Sequence, residues 1–149
     1  MVDARCVALH LTSSPTSRTK VRAGTSHPIA EDPAAQVELA RAEAELRSAR
    51  AFVLDEAGAL WDTACAGDTP TVQQRARFQL AAQQAMRAGR DAVDTAFGLT
   101  GAGVVHATHP IQRCFRYLHT AGQHVIFSPA ALKCYAADRF QIAQPSWLV

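Results

Sequence analysis

From Leu39 onward, apolar residues recur every three or four positions: Leu39, Ala42, Leu46, Ala49, Val53, Ala57, Leu60 and Ala64. Glu38, Arg41, Glu45 and Arg47 occupy the other faces. That period belongs to a helix with one covered stripe. Asp32 can accept a bond from the first free amides, and Pro33 suits the first helical position. Gly67 offers a left-handed stop after Ala66. The pattern predicts one helix from about residue 33 to 66, roughly 50 Å long at 1.5 Å per residue. Such a length belongs to an elongated bundle.

A second helix is predicted from the cap Asp68-Thr69-Pro70 to about Leu99. It carries two apolar stripes. One is Phe78, Ala81, Ala82, Ala85, Ala88, Ala92, Ala96 and Leu99, and the other is Val72, Ala76, Leu80, Val93 and Phe97. From Ala92 onward charge nearly vanishes apart from Asp94. Small residues on two faces call for two close neighbours. A body of only three helices would leave one of those faces exposed and prone to association.

Gly101-Ala102-Gly103 breaks the pattern. A third helix is expected from His109-Pro110 through Ile111, Phe115 and Leu118 to Gly122. Ser128-Pro129 is expected to cap and launch a shorter fourth helix through Ala131, Leu132, Tyr135 and Phe140. Residues 12–33 are rich in Ser, Thr, Pro and Gly without a helical period, which is loop chemistry. The expected organisation is an irregular segment over 1–30, a helical domain over 31–143 and a tail over 144–149.

Composition narrows the class. The 149 residues are 48% hydrophobic, enough for one cored domain. Alanine is abundant and β-branched residues are thin, which disfavours an all-β fold. A net charge of +2 argues against a basic nucleic-acid arm. No run reaches the roughly 18 apolar residues of a membrane span, and the first ten residues are too short and interrupted for a signal-peptide core. Cys6, Cys65, Cys114 and Cys134 form no C-x-x-C pair, so reduced, packed thiols in a cytoplasmic protein are expected.

The stretch with chemical content is Thr95 to Ala137. It holds no Asp or Glu, but it holds Arg113, Arg116, Lys133, His106, His109, His119 and His124. A glycine break ahead of a helix, followed by arginines, suits an anionic group such as phosphate. A loop followed by a solvated helix face accounts for the same residues. His119 and His124 are five apart and point about 140° from each other on a straight helix, so no metal site is expected. Ser128 reads as a cap, and no G-x-S-x-G is present to support a hydrolase.

Pro110, Gln112, Arg113, Arg116, His119, Thr120, Ala121, Gln123 and His124 together resemble a known family. The segment is similar to the C-terminal helical domain of the acyl-CoA dehydrogenase-like flavoproteins. Within them it looks closest to flavin-dependent monooxygenases whose reduced flavin comes from a separate reductase. Ala40 to Phe52, Leu60-Trp61, the Gly101-Ala102-Gly103 break and the Ser-Arg-Thr loop near residue 18 extend the likeness to about residues 17–140.

The resemblance implies an all-α fold, a long antiparallel helical bundle lacking one bundle helix. It implies a place in a tetrameric flavoenzyme that uses FMN or FAD. The family also carries an N-terminal helical domain and a middle β-domain, for which this chain has no room. A truncated or split reading frame, or a domain fragment, is therefore expected. Arg113 and the Gly101 turn fall where the family contacts flavin, often that of a neighbouring subunit. His119 is either a flavin contact or a packed helix histidine. His124 falls at an active-site histidine, where imidazole could accept a phenol's proton or hydrogen-bond the oxygenated flavin. Arg116 is expected in a structural ion pair, although Tyr117 stands where the family has an aspartate. The dehydrogenase branch needs a carboxylate base near this helix, so the acid-free run favours the monooxygenase side. Expected partners are flavin, further copies of the chain, the remaining domains of a flavoenzyme and a flavin reductase. The alternative is a non-catalytic helical fragment that acts through self- or partner-association.

Overall fold

The structure is a computed structural model, which describes residues 19–21 and 26–142. Among the described residues it is all-α. Its four helices are α1 (Pro33–Cys65), α2 (Val72–Thr100), α3 (Pro110–Ala121) and α4 (Pro129–Arg139). Single 3-10 turns cover Ile29–Glu31, Gly101–Val105 and Val125–Phe127. An isolated bridge joins Val21 to Pro28. The N-terminal segment up to residue 18, Cys6 and the tail from residue 143 lie outside the described residues.

Helix α1 begins and ends where its caps dictate. The Ala34 N–H donates to the Asp32 carboxylate at 3.0 Å. At the other end Asp68 N–H donates to Thr63 O and Gly67 N–H to Ala64 O. Gly67 lies at φ 82, so the pair of bonds closes a left-handed stop that satisfies orphan carbonyls.

Helix α2 starts later than Asp68-Thr69-Pro70 suggests. Asp68 is already engaged in the stop of α1, and Thr71 takes over as cap. The Gln74 N–H donates to Thr71 Oγ1 at 3.2 Å, and the Thr71 N–H donates to Gln74 Oε1 at 2.9 Å. This is a reciprocal capping box. For α4 the expected start holds, but Ser128 makes no side-chain cap bond and Pro129 alone marks the first turn.

The chain forms two compact units. Of the described residues, those up to Leu46 and Ala88–Ala121 belong to the first, and Arg47–Arg87 and those from Gly122 on belong to the second. Helices α1 and α2 lend a segment to each. In the first unit the end of α2 runs antiparallel to α3, with Asp94 paired to His119 and Phe97 against Phe115. Val93, Ala96, Val104 and Ile111 form its buried centre, with Phe97, Cys114, Phe115 and Leu118 packed around them. In the second unit α1 from Arg47 runs antiparallel to the start of α2. Arg77 Nε meets Glu56 Oε2 at 3.1 Å, and Gln74 Nε2 donates to Thr63 Oγ1 at 2.7 Å. Ala49, Ala76, Ala81 and Cys134 are buried there.

Both stripes of α2 contribute buried residues, Ala81, Ala88, Ala92, Ala96 and Leu99 from one and Ala76 and Val93 from the other, while Val72 at the helix start is exposed. An exposed face on α2 is expected only of a body with three helices, and four are described here. The exposed apolar face belongs to α1, where Leu54 is 53% and Trp61 70% exposed. Seven residues apart, they share a face roughly opposite buried Ala49 and Glu56. The cysteine expectation is corrected in part: Cys134 is buried, but Cys65 is exposed at the end of α1. No described helix is long and apolar enough to cross a membrane.

Candidate functional site

The first unit places the glycine break directly after α2. Gly101 adopts φ 68, a left-handed turn in which a side chain would be strained. Lys20 sits over this turn. Its ammonium donates to Thr100 O at 2.6 Å, satisfying a carbonyl at the C-terminal end of α2, where a cation is favoured. A Cβ at Gly101 or at Gly103 would lie 3.5 Å from Lys20 Nζ. Thr100 turns its hydroxyl back to Ala96 O at 2.7 Å, and Val104 is buried beneath the turn. The glycine turn is thus fixed from the backbone side by Thr100 and from above by Lys20.

The chain then enters α3. His109 accepts the Ile111 N–H at Nδ1, at 3.3 Å, and so caps the helix. Arg113 and Arg116 are exposed. Neither guanidinium has an acidic partner among the described residues, so the ion pair expected of Arg116 is not made. Gln112 keeps a buried Oε1 with no hydrogen-bond partner. His119 closes the helix. Its Nε2 lies 2.8 Å from Asp94 Oδ1, and its ring lies against Phe115 with centroids 4.2 Å apart. Asp94 is the acidic residue immediately before the acid-free run.

His124 belongs to the second unit and is exposed. It stands at the N-cap of the Val125–Phe127 turn and accepts the Ile126 N–H at Nδ1, at 3.3 Å. Gln83 of α2 holds the same turn, donating to Ile126 O at 3.1 Å and to Ser128 O at 2.8 Å. Among the described residues no three His, Cys, Asp or Glu side chains converge as a metal site would require. Three residues with clear local roles were absent from the sequence candidates: Lys20, Asp94 and Gln83. Lys20 directly follows the Ser-Arg-Thr stretch, and Asp94 stands out as the lone charge of α2 after Ala92, but neither signal names a partner. Gln83 has no sequence signal.

Comparison with known proteins adds a family and a fold. Residues 4–129 match the family model described as acyl-CoA dehydrogenase, C-terminal domain. The match takes in residues 4–16, ahead of the motif-based likeness, and stops at the start of α4. Indole-3-acetate monooxygenase of Pseudomonas putida is 33% identical over 96 residues, 64% of this chain and 25% of its own length. A pigment production hydroxylase of Rhodococcus erythropolis is 30% identical over 117 residues, 74% of this chain and 30% of its own. The chain thus spans between a quarter and a third of these relatives. XiaF from Streptomyces sp., solved in complex with FADH2 and glycerol, superposes with a TM-score of 0.86 at 20% identity. The superposition covers 96% of this chain and 37% of that one, and it shows a shared fold.

Proposed function

The chain belongs to the acyl-CoA dehydrogenase C-terminal-domain family, and from that premise we propose that it serves as the flavin-facing helical portion of a flavin-dependent monooxygenase. The observation that carries the reading is Arg113, an exposed guanidinium without an acidic partner among the described residues, on a helix that bears no acid, and the family resemblance separates it from the equally exposed Arg116. Both FMN and FAD carry phosphate, and an arginine fork matches that group. The residues of the first unit fit such a cofactor. Lys20 adds a second cation over a glycine turn, and the run from Thr95 to Ala137 brings no carboxylate to repel an anion.

In this reading Arg113 neutralises the cofactor phosphate and the Gly101 turn offers close backbone approach. His119 meets the cofactor with an imidazole that Asp94 keeps in place. His124 is the catalytic histidine, acting on the substrate through a proton or a hydrogen bond. Bound flavin would supply the redox chemistry. The name of the indole-3-acetate monooxygenase relative favours an aromatic substrate. The proposed setting is the cytoplasm, with further copies of the chain, the remaining domains of a flavoenzyme and a flavin reductase as partners.

A second reading is favoured by the exposed Leu54 and Trp61 on α1: a helical body that acts through association alone. Titrating FMN and FAD, oxidised and reduced, into the purified chain separates the two. A rise in melting temperature and quenched flavin fluorescence support the first. An unchanged melt, with an oligomer that grows with protein concentration in light scattering, supports the second.

A further inference from the structure

Gln83 lies within α2, and one of its atoms serves two acceptors. Nε2 donates to Ile126 O at 3.1 Å and to Ser128 O at 2.8 Å. An amide NH2 carries two hydrogens, one for each carbonyl. With two carbonyls as neighbours, the amide must present its nitrogen rather than its oxygen. Both carbonyls belong to the turn that follows His124. That turn also presents the Ile126 N–H to His124 Nδ1 at 3.3 Å. Ile126 is therefore held at both polar ends of its backbone, the carbonyl by Gln83 and the amide by His124.

The bond to Nδ1 has a chemical consequence. A ring nitrogen that accepts a hydrogen bond carries no proton, so in the neutral imidazole the hydrogen sits on Nε2. We infer that Gln83 is a positioning residue. It fixes the Val125–Ser128 turn and through it holds His124 as the Nε2–H tautomer, so that His124 meets its substrate as a hydrogen-bond donor. With Nδ1 engaged by the backbone, Nε2 is the atom left to reach outward. In this tautomer Nε2 has a hydrogen to give and no lone pair with which to take one. Of the two roles that the family resemblance leaves open for His124, this excludes proton acceptance at Nε2. The functional half rests on the reading of His124 as the catalytic histidine, whereas the tautomer and the role of Gln83 stand on this chain's own geometry.

His109 supplies an internal control. It caps α3 by the same kind of bond, Ile111 N–H to Nδ1 at 3.3 Å, in the other unit and without a tie to Gln83. The test is nitrogen NMR on protein labelled with [15N]histidine, at about pH 8.5, above the ordinary imidazole range near 6.5. His124 signals are assigned by their loss in His124→Asn, and those of His109 by their loss in His109→Asn. The expected wild-type spectrum shows a protonated Nε2 and a bare Nδ1 at His124. In Gln83→Ala and in Gln83→Glu, which puts carboxylate oxygens against the two carbonyls, His124 shifts to a tautomer mixture while His109 is unchanged. A wild-type His124 protonated at Nδ1 would overturn the inference, as would a His124 spectrum unaltered by both substitutions. Should Gln83→Glu not fold, the wild-type spectrum and Gln83→Ala decide the matter. No flavin or turnover enters the readout, so failure of the flavin reading would leave this result standing, and the reverse.

Discussion

Asp94 Oδ1 holds His119 Nε2 at 2.8 Å, joining a carboxylate just outside the acid-free run to a histidine inside it. The pair is half open to solvent, with side chains 48% and 31% exposed, and the imidazole also rests on Phe115. Exposed pairs of this kind contribute about 0–1 kcal/mol. Partly buried Phe115 packs against Phe97 and against the Val93, Ala96, Val104 and Ile111 cluster of the first unit. Thermal unfolding should therefore show a small loss for Asp94→Asn and a loss of about 2–3 kcal/mol for Phe115→Ala. A larger loss for Asp94→Asn than for Phe115→Ala would show that the Asp94–His119 contact, not the aromatic packing, holds α3.

Glycines separate by backbone demand. Gly101→Ala forces a side chain into φ 68 and should cost about 1–2 kcal/mol. Gly58 sits inside α1, where an added Cβ meets nothing within 4 Å. Gly58→Ala should raise stability by about 0.5–1 kcal/mol. Chemical denaturation of the two variants gives both signs.

Lys20→Met removes the donor to Thr100 O while keeping much of the side-chain bulk. Hydrogen bonds to a charged group contribute about 1.5–3 kcal/mol, and this one is part-buried. The expected loss is at the lower end of that range. Amide exchange should also quicken through Gly101–Val105, and unchanged exchange there would show that Lys20 does not hold the turn.

Trp61→Glu places a charge on the exposed face of α1. Helix content by circular dichroism should be unchanged, because 70% exposed Trp61 contributes little to the core. If that face mediates self-association, sedimentation should shift towards smaller species at equal concentration. An unaltered distribution would remove α1 from the interface.

The sequence was most legible where local signals coincided. For α1 the cap, the proline, the apolar period and Gly67 all agree, and the helix matches them to within a residue. The start of α2 lies beyond the point the sequence suggests because Asp68-Thr69-Pro70 follows the same cap grammar as Asp32-Pro33. Only the preceding stop consumes Asp68, while Thr71 with Gln74 supplies the box. Which helix keeps an exposed apolar face is a tertiary matter, since Leu54 and Trp61 lie off the stripe that the period picked out. The same holds for the site. The motif from Pro110 to His124 was visible as a string of residue types. What orients it was not: Lys20 reaches Thr100 across 80 positions, Asp94 reaches His119 across 25 and Gln83 reaches Ile126 across 43.

Flavin affinity of paired arginine variants tests most directly whether this chain presents Arg113 to a flavin phosphate. Arg113 and Arg116 are both exposed on α3 and both lack an acidic partner among the described residues, so each controls for the other's charge. Fluorescence titration with FMN and FAD should show Arg113→Ala binding at least about tenfold more weakly than wild type, a difference of about 1.4 kcal/mol. Arg116→Ala should stay within about twofold, a difference of roughly 0.4 kcal/mol. Equal weakening by both substitutions, or no flavin binding by the wild-type chain, would contradict this role of Arg113.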